Sequence, residues 1–305
     1  MSILSSDIYG RESIRRFNVA WIRIFIYFGL IFWAFVCLFP VYWTLTTVFK
    51  NAVSVTQGYL IPWIDFPPKM IGLRSLGLSP NTIFEVSTVR DEFLKRFSNS
   101  AIVSIGASFI AVLIGSLAAY GLTRFQYKWG FFKNNDISFF FLSQLIIPPV
   151  VLALPFLVLY KELALLDTRI GLILLYTLMV LPIVIWIMQD QFSTIPIELE
   201  EAAFIDGLSV WGVFLRIVTP LSFPGMVAAF ILCFVLSWNE YFFAALLTGA
   251  DATTLPVMVA SQTGSQGISW WSMAALSTAA IAPLALIGIF LESYIVKGLT
   301  AGSGK

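Results

Sequence analysis

The 305-residue chain is 59% hydrophobic and 11% charged, with 18 Lys plus Arg against 17 Asp plus Glu, a net charge of +1 and no histidine. An ordinary soluble domain carries about 25% charged residues. That class is excluded here, and near-neutrality excludes the basic face that nucleic acid requires. The missing histidine excludes His-based nucleophilic triads and HExxH zinc sites. Nearly uncharged runs of about 18 residues or more recur, each long enough to cross the hydrocarbon core as a helix. The chain therefore reads as an all-α, multi-pass membrane protein. Cys37 and Cys233 both fall inside apolar runs and read as small apolar filler rather than a disulfide or metal site.

In chain order, residues 1–20 form a basic, cytoplasmic N-terminal arm with Arg11, Arg15 and Arg16. The apolar run that follows is too long for a signal peptide and lacks a small-residue cleavage site. It is expected as a retained first span, 22–48, with Arg23 snorkelling at its inner end. Residues 49–98 carry turn signals at Pro62, Pro67-Pro68 and Ser79-Pro80, and Trp63, Phe66 and Met70 make the segment amphipathic, packed on the outer membrane face. The second span, 99–122, is rich in small residues (Gly106, Ala107, Gly115, Ser116, Ala118, Ala119), which favour close helix contact in lipid. A basic loop with Arg124, Lys128 and Lys133 follows. The third span, 137–160, holds Gln144 and the break Pro148-Pro149, with Pro155 beyond. Paired prolines free backbone carbonyls that neighbours or a wet cavity must satisfy, so the break is a packing kink or part of a pathway. The fourth span, 170–188, is kinked at Pro182 and ends with Gln189-Asp190-Gln191.

The stretch 193–220 is the long charge-bearing segment between two apolar spans. Pro196 suits a first helical turn, and Glu198, Glu200 and Glu201 sit where the helix dipole favours carboxylates. Leu199, Ala202, Ala203 and Asp206 share a face at helical spacing. Gly207 is a left-handed stop, and Ser209 caps a second helix that Pro220 ends. Two adjacent alanines on a short helix admit a foreign backbone. The fifth span, 221–247, carries Trp238-Asn239-Glu240. A polar loop, 249–271, has Trp270-Trp271 at the interface. The sixth span, 273–296, holds Pro283 and Glu292, with Lys297 after it and a flexible cytoplasmic tail, 298–305. Gly302-Ser303-Gly304-Lys305 lacks the first glycine and the final Ser/Thr of a phosphate-binding loop.

Glu201-Ala202-Ala203, followed by Gly207, Ile217 and Pro220, resembles the EAA loop of ABC importer membrane subunits, with Thr219 where that family usually has leucine. In that family the loop is cytoplasmic and fits a cleft on the ATPase subunit. Leu166-Asp167-Thr168, Ile195-Pro196 and Trp238-Asn239-Glu240 look like the carbohydrate-importing branch, and more narrowly its maltose-type second permease. The resemblance covers most of the chain from Asn99 onward, plus the first span with Pro40. It implies a type I ABC importer permease fold of six spans within a permease domain, 21–297. It also implies a non-catalytic permease subunit for a sugar or polyol, forming half of a translocation pore. ATPase-docking residues would be Glu200, Glu201, Ala202, Ala203, Asp206 and Gly207. No cofactor would be bound by this chain, with ATP and Mg on the partner ATPase. Implied partners are a homologous second permease, an ATPase dimer, an extracytoplasmic substrate-binding protein and membrane lipid. The implied location is a bacterial or archaeal cytoplasmic (inner) membrane with both termini inside.

Asn239 and Glu240 are costly to expose to lipid. With Trp238, and with Gln144 as a weaker companion, they are candidates for a substrate pathway. The competing role is structural: Trp238 anchors at the interface while Asn239 and Glu240 bond neighbouring helices. Two other functions stay open, an importer of a non-sugar solute and an ion-coupled secondary transporter. The latter would need intramembrane carboxylates, for which only Glu240 and Glu292 qualify. The orientation is directly testable in a cysteine-free background. Cysteines at Lys128 and Ser209 are expected to resist impermeant reagents applied from outside, and external labelling of both would overturn the six-span arrangement.

Overall fold

A backbone in lipid must satisfy its own hydrogen bonds, and this one does so almost wholly as helix. The structure, a computed structural model, describes residues 4–78, 87–130, 132–264 and 267–300, with side chains from 22 to 289 apart from 129, 132, 264 and 267. The Ser79-Pro80 turn, residues 301–305, and the side chains of Arg11, Arg15, Arg16, Glu292 and Lys297 lie outside the described residues. Two units are distinguished: Met1–Ser75 with Trp270–Ala275, and Leu76–Ser269 with Leu276–Lys305.

In the first unit, α1 (Leu4–Thr47) is one helix, so from Leu4 onward the expected arm is part of it. Ile22–Thr47 is long and apolar enough to span a membrane, and its side chains from Ile22 to Phe39 are exposed. Beyond it, α2 (Ala52–Thr56) is capped by Asn51, whose Oδ1 accepts from Ser54 N at 2.8 Å. The helix α3 (Ile71–Ser75) follows. The segment before α3 is less simply amphipathic than its sequence suggests. Trp63 is exposed at a positive φ of 63°, Met70 is exposed, and Phe66 is buried. Lys50 is also fully buried, its ammonium 3.7 Å from the Trp43 ring centroid and 5.4 Å from that of Phe66. Burial pushes its pKa down, and Asp65 opposes that.

In the second unit, α4 (Thr88–Arg124) begins well before the expected 99, because Ser87 Oγ caps Arg90 N at 3.3 Å and Asp91 lies in the first turn. Charged side chains in the early part of this helix are paired rather than prohibitive: Arg96 bonds Glu92 at 2.9 Å and Lys95 bonds Asp251 at 2.7 Å. A small antiparallel ladder, β1 (Lys128–Trp129) with β2 (Phe132–Lys133), leads to α5 (Asn134–Ser143). A 3₁₀ turn, Gln144–Ile146, then precedes α6 (Pro149–Glu162). The expected third span is thus not one kinked helix, since α5 and α6 meet at 94°. Ile147 and Pro148 are both extended, at ψ 119° and 132°, as the steric demand of a following proline requires.

The fourth span, α7 (Arg169–Ser193), is capped by Thr168, and Gln189, Asp190 and Gln191 continue it rather than ending it. Next come α8 (Ile197–Ile205) and α9 (Val210–Val213), then a π-helical turn, Phe214–Val218, running straight into α10 (Thr219–Trp238). Pro220 therefore does not end a helix. Thr219 N reaches back to Phe214 O, and this wider turn accommodates the residue that can donate no N–H. Within the expected fifth span, 221–247, the helix α10 ends at Trp238 and α11 (Phe242–Leu247) is a separate helix. The loop beyond contains α12 (Leu255–Ala260) and the ladder β3 (Thr263–Gly264) with β4 (Gly267–Ile268). The last helix, α13 (Trp270–Thr300), takes in residues 298–300 of the expected tail. Among the described residues five helices suffice to span a membrane, and six if the bent pair α5–α6 counts as one span.

The helices α4, α7 and α10 pack on one another. On α4 the residues Ala107, Ala111, Gly115 and Ala119 recur every fourth position as a buried stripe, which lets α7 approach closely. A Cβ on Gly115 would meet Val184 Cγ1 at 2.7 Å and Val184 Cβ at 2.9 Å, whereas one on Gly29 would meet nothing within 4 Å. Gly115→Ala is accordingly expected to lower stability by about 1–3 kcal/mol through overpacking, and Gly29→Ala to leave it unchanged. Thermal unfolding in detergent checks this, and equal midpoints for the two variants would refute the close α4–α7 contact.

Candidate functional site

The site begins with how α8 is held. Glu200 is only 2% exposed. Its Oε1 accepts from Arg124 Nε at 2.7 Å and its Oε2 from Tyr120 Oη at 2.8 Å. The same guanidinium donates through Nη2 to the carbonyls of Phe192 (3.0 Å) and Ile195 (2.9 Å), at the end of α7, where the helix dipole favours a cation. Around this hub Tyr120, Phe192 and Phe214 set their rings 5.0–6.4 Å apart. Ala203 is buried on the same side.

This corrects the expected docking face. Glu200 and Ala203 point into the protein, while Glu201, Ala202, Asp206 and Gly207 are exposed, together with Ile205 at 87%. Gly207 closes the turn with φ +86°. Its N–H donates to Phe204 O and that of Leu208 to Ala203 O, both at 3.0 Å, the paired bonds of a Schellman ending. Ser209 then caps α9, its Oγ accepting from Gly212 N at 3.3 Å. A short, rigid corner results, with two carboxylates, a small residue and an apolar tip turned outward.

The four pathway candidates do not form one site. Trp238 is buried, its Nε1 donating to Ala280 O at 3.0 Å and its ring 5.5 Å from those of Phe97 and Phe234. Asn239 is exposed as the C-cap of α10, with Nδ2 donating to Val235 O at 2.8 Å. Glu240 caps the next helix: Oε1 accepts from Phe243 N (2.8 Å), and Oε2 from Ala244 N (3.1 Å) and Tyr176 Oη (2.6 Å). It also lines a cavity of about 230 Å³ with Tyr176 and Ser237. Gln144 lines an adjoining space of about 250 Å³ beside Pro149, Pro182 and Phe243, and Leu145 and Met179 line both. Among the described residues no group of three or more His, Cys, Asp or Glu could hold a metal ion.

Residues 111–300 match the model of the family described as the binding-protein-dependent transport system inner membrane component. The chain belongs to that family. Relatives at full length include the inner membrane ABC transporter permease protein YcjP of Escherichia coli, 31% identical over 284 residues, 93% of this chain and 96% of the relative. The trehalose/maltose transport system permease protein MalG of Thermococcus litoralis is 30% identical over 285 residues, covering 93% and 97%. A crystal structure of a bacterial ABC transporter involved in the import of the acidic polysaccharide alginate contains a chain of the same fold. There the TM-score is 0.67 at 19% identity, covering 92% of this chain and 97% of that one.

Two features of this transport-system component escape residue-by-residue reading. One is the Arg124 hub, since a single arginine in a basic loop gives no sign of its partner. The other is Asp167, at φ +53°, whose carboxylate accepts from the amides of Gly249, Ala250, Asp251 and Ala252 at 2.8–3.2 Å. Burial opposes its ionisation, but those amides outweigh it and hold the pKa below the ordinary carboxylate value. A depressed folded-state pKa contributes stability above the unfolded value, about 3.9, and that contribution is lost as pH falls through the folded value. Asp167→Asn, which halves the acceptors, is expected to cost about 1–3 kcal/mol per amide left unpaired. Its deficit in thermal unfolding should be full at pH 7 and shrink as the parent is acidified below pH 4; an equal deficit at both ends would contradict the clasp.

Proposed function

We propose that the chain is the permease subunit of an ATP-driven importer of a sugar or polyol, coupled to a separate ATPase through the corner at α8. The observation that carries this is the outward set Glu201, Ala202, Asp206 and Gly207 on a short helix locked from behind by Glu200. A docking element must present small and charged groups on a rigid base, and this one does. The trehalose/maltose system named for the MalG relative supports a sugar or polyol as the solute.

The partners that follow are a homologous second permease completing the pore, two ATPase subunits and an extracytoplasmic binding protein. ATP and Mg would sit on the ATPase. The corner and both termini would be cytoplasmic. The exposed apolar flank of α1 suits lipid. Asn239 and the Glu240-lined cavity are assigned to the solute pathway, with Gln144 on the adjoining space. Trp238 is a packing post and leaves the pathway set. An ion-coupled secondary transporter needs a carboxylate free to exchange partners, and Glu240 holds three bonds at once.

Gly207 has a left-handed φ, which costs a residue with a Cβ about 1–2 kcal/mol. Gly207→Val and Glu201→Lys are each expected to lower import into proteoliposomes by at least tenfold with insertion unchanged. Normal uptake by either, with normal ATPase stimulation by the loaded binding protein, would refute the docking role. Asn239→Ala is expected to shift the KM for import without loss of the assembled complex. Unchanged kinetics would remove Asn239 from the pathway.

A further inference from the structure

A docking helix transmits motion only if it cannot slide against the spans behind it. Among the described residues, one ion pair attaches α8 to them. Arg124 is the last residue of α4, its side chain 12% exposed, and the facing carboxylate of Glu200 is 3% exposed. Three of the arginine's bonds go to three places: Glu200 on α8, Phe192 O in the last turn of α7, and Ile195 O in the link between them. Tyr120, one turn back on α4, takes the second carboxylate oxygen. The Phe214 ring, 5.0 Å from that of Tyr120, adds the π-turn that leads into α10. Four elements therefore meet on one guanidinium–carboxylate pair.

The geometry points to Arg124 and Glu200 as a clamp that makes α8 one rigid body with the ends of α4 and α7. Displacement of the docked corner then reaches the spans undiminished. Arg124 is a positioning residue that acts through Glu200 and touches no solute. A planar fork is needed, because a lysine ammonium is a point charge that cannot hold the Glu200 carboxylate through one nitrogen and the two carbonyls through another set at a fixed angle to it. This rests on the docking role proposed for α8, and it adds where the motion goes afterwards.

The test uses the assembled transporter in lipid, with spin labels on cysteines at Gln126, just past α4, and Glu198, on α8, both exposed. Cys37 and Cys233 are replaced. In the parent the Gln126–Glu198 distance is expected to stay constant between the nucleotide-free and ATP-bound states. Arg124→Lys is expected to loosen α8 on the ends of α4 and α7. Import should fall at least tenfold, and the inter-label distance should broaden on ATP binding. Glu200→Gln, nearly isosteric, should do the same and carries the mutational arm if Arg124→Lys does not assemble. A parent distance that changes by about a helical turn, roughly 5 Å, overturns the clamp, as does normal coupling in both variants. The docking role is scored separately. Glu201→Lys should weaken retention of the ATPase subunit, an outcome independent of the inter-label distance.

Discussion

Wherever a helix is interrupted in an apolar setting, the freed amides and carbonyls must find partners inside the protein. Polar side chains are scarce here, and many of the buried or half-buried ones serve that need. Glu240 takes the first amides of α11. Asp167 takes the amides of residues 249–252. Asn99 donates to the carbonyls of Asp251 and Thr253, and its own oxygen accepts from Arg169 at 2.7 Å. Asn134 holds the carbonyls of Leu122 and Phe125 together with the amide of Tyr127. Arg124 does the same for the end of α7. These breaks stay fixed because a side chain closes each of them.

This constraint also gives a polar cluster on an apolar span a structural role. Trp238-Asn239-Glu240 looks like a set of solute-binding groups because aromatic, amide and carboxylate are consecutive. The helix ends there, Asn239 as its C-cap, and Glu240 takes the first free amides of α11. Gln144 is at another break, the 3₁₀ turn before Pro148-Pro149, and lines the space adjoining the one at Glu240.

Much of the architecture was legible from the residues, for reasons that are local. Gly207 and Ser209 act as stop and cap as their chemistry dictates, and the small-residue stripe on α4 lies where the packing needs it. Two kinds of information were not local. The face of α8 was assigned from periodicity among Leu199, Ala202, Ala203 and Asp206, but the buried side is chosen by Glu200, whose arginine is 76 positions away. The helices α4 and α7 also run beyond the expected spans, 99–122 and 170–188, because the Arg96–Glu92 pair and the Gln189–Ser138 bond keep those polar residues in the helix.

The π-turn has a geometric consequence of its own. Along α10 the buried positions Ser222, Gly225, Ala229 and Cys233 follow each other at intervals of three or four. Across the turn Val213 and Val218, both fully buried, are five apart. The helix carries one residue beyond ordinary pitch there, which is an angular offset of about 100°. With α-helical pitch restored, everything upstream of Phe214 would rotate by that amount about the α10 axis, and the Gly207 corner would face elsewhere. The aim of the corner is written into the winding of the helix that follows it.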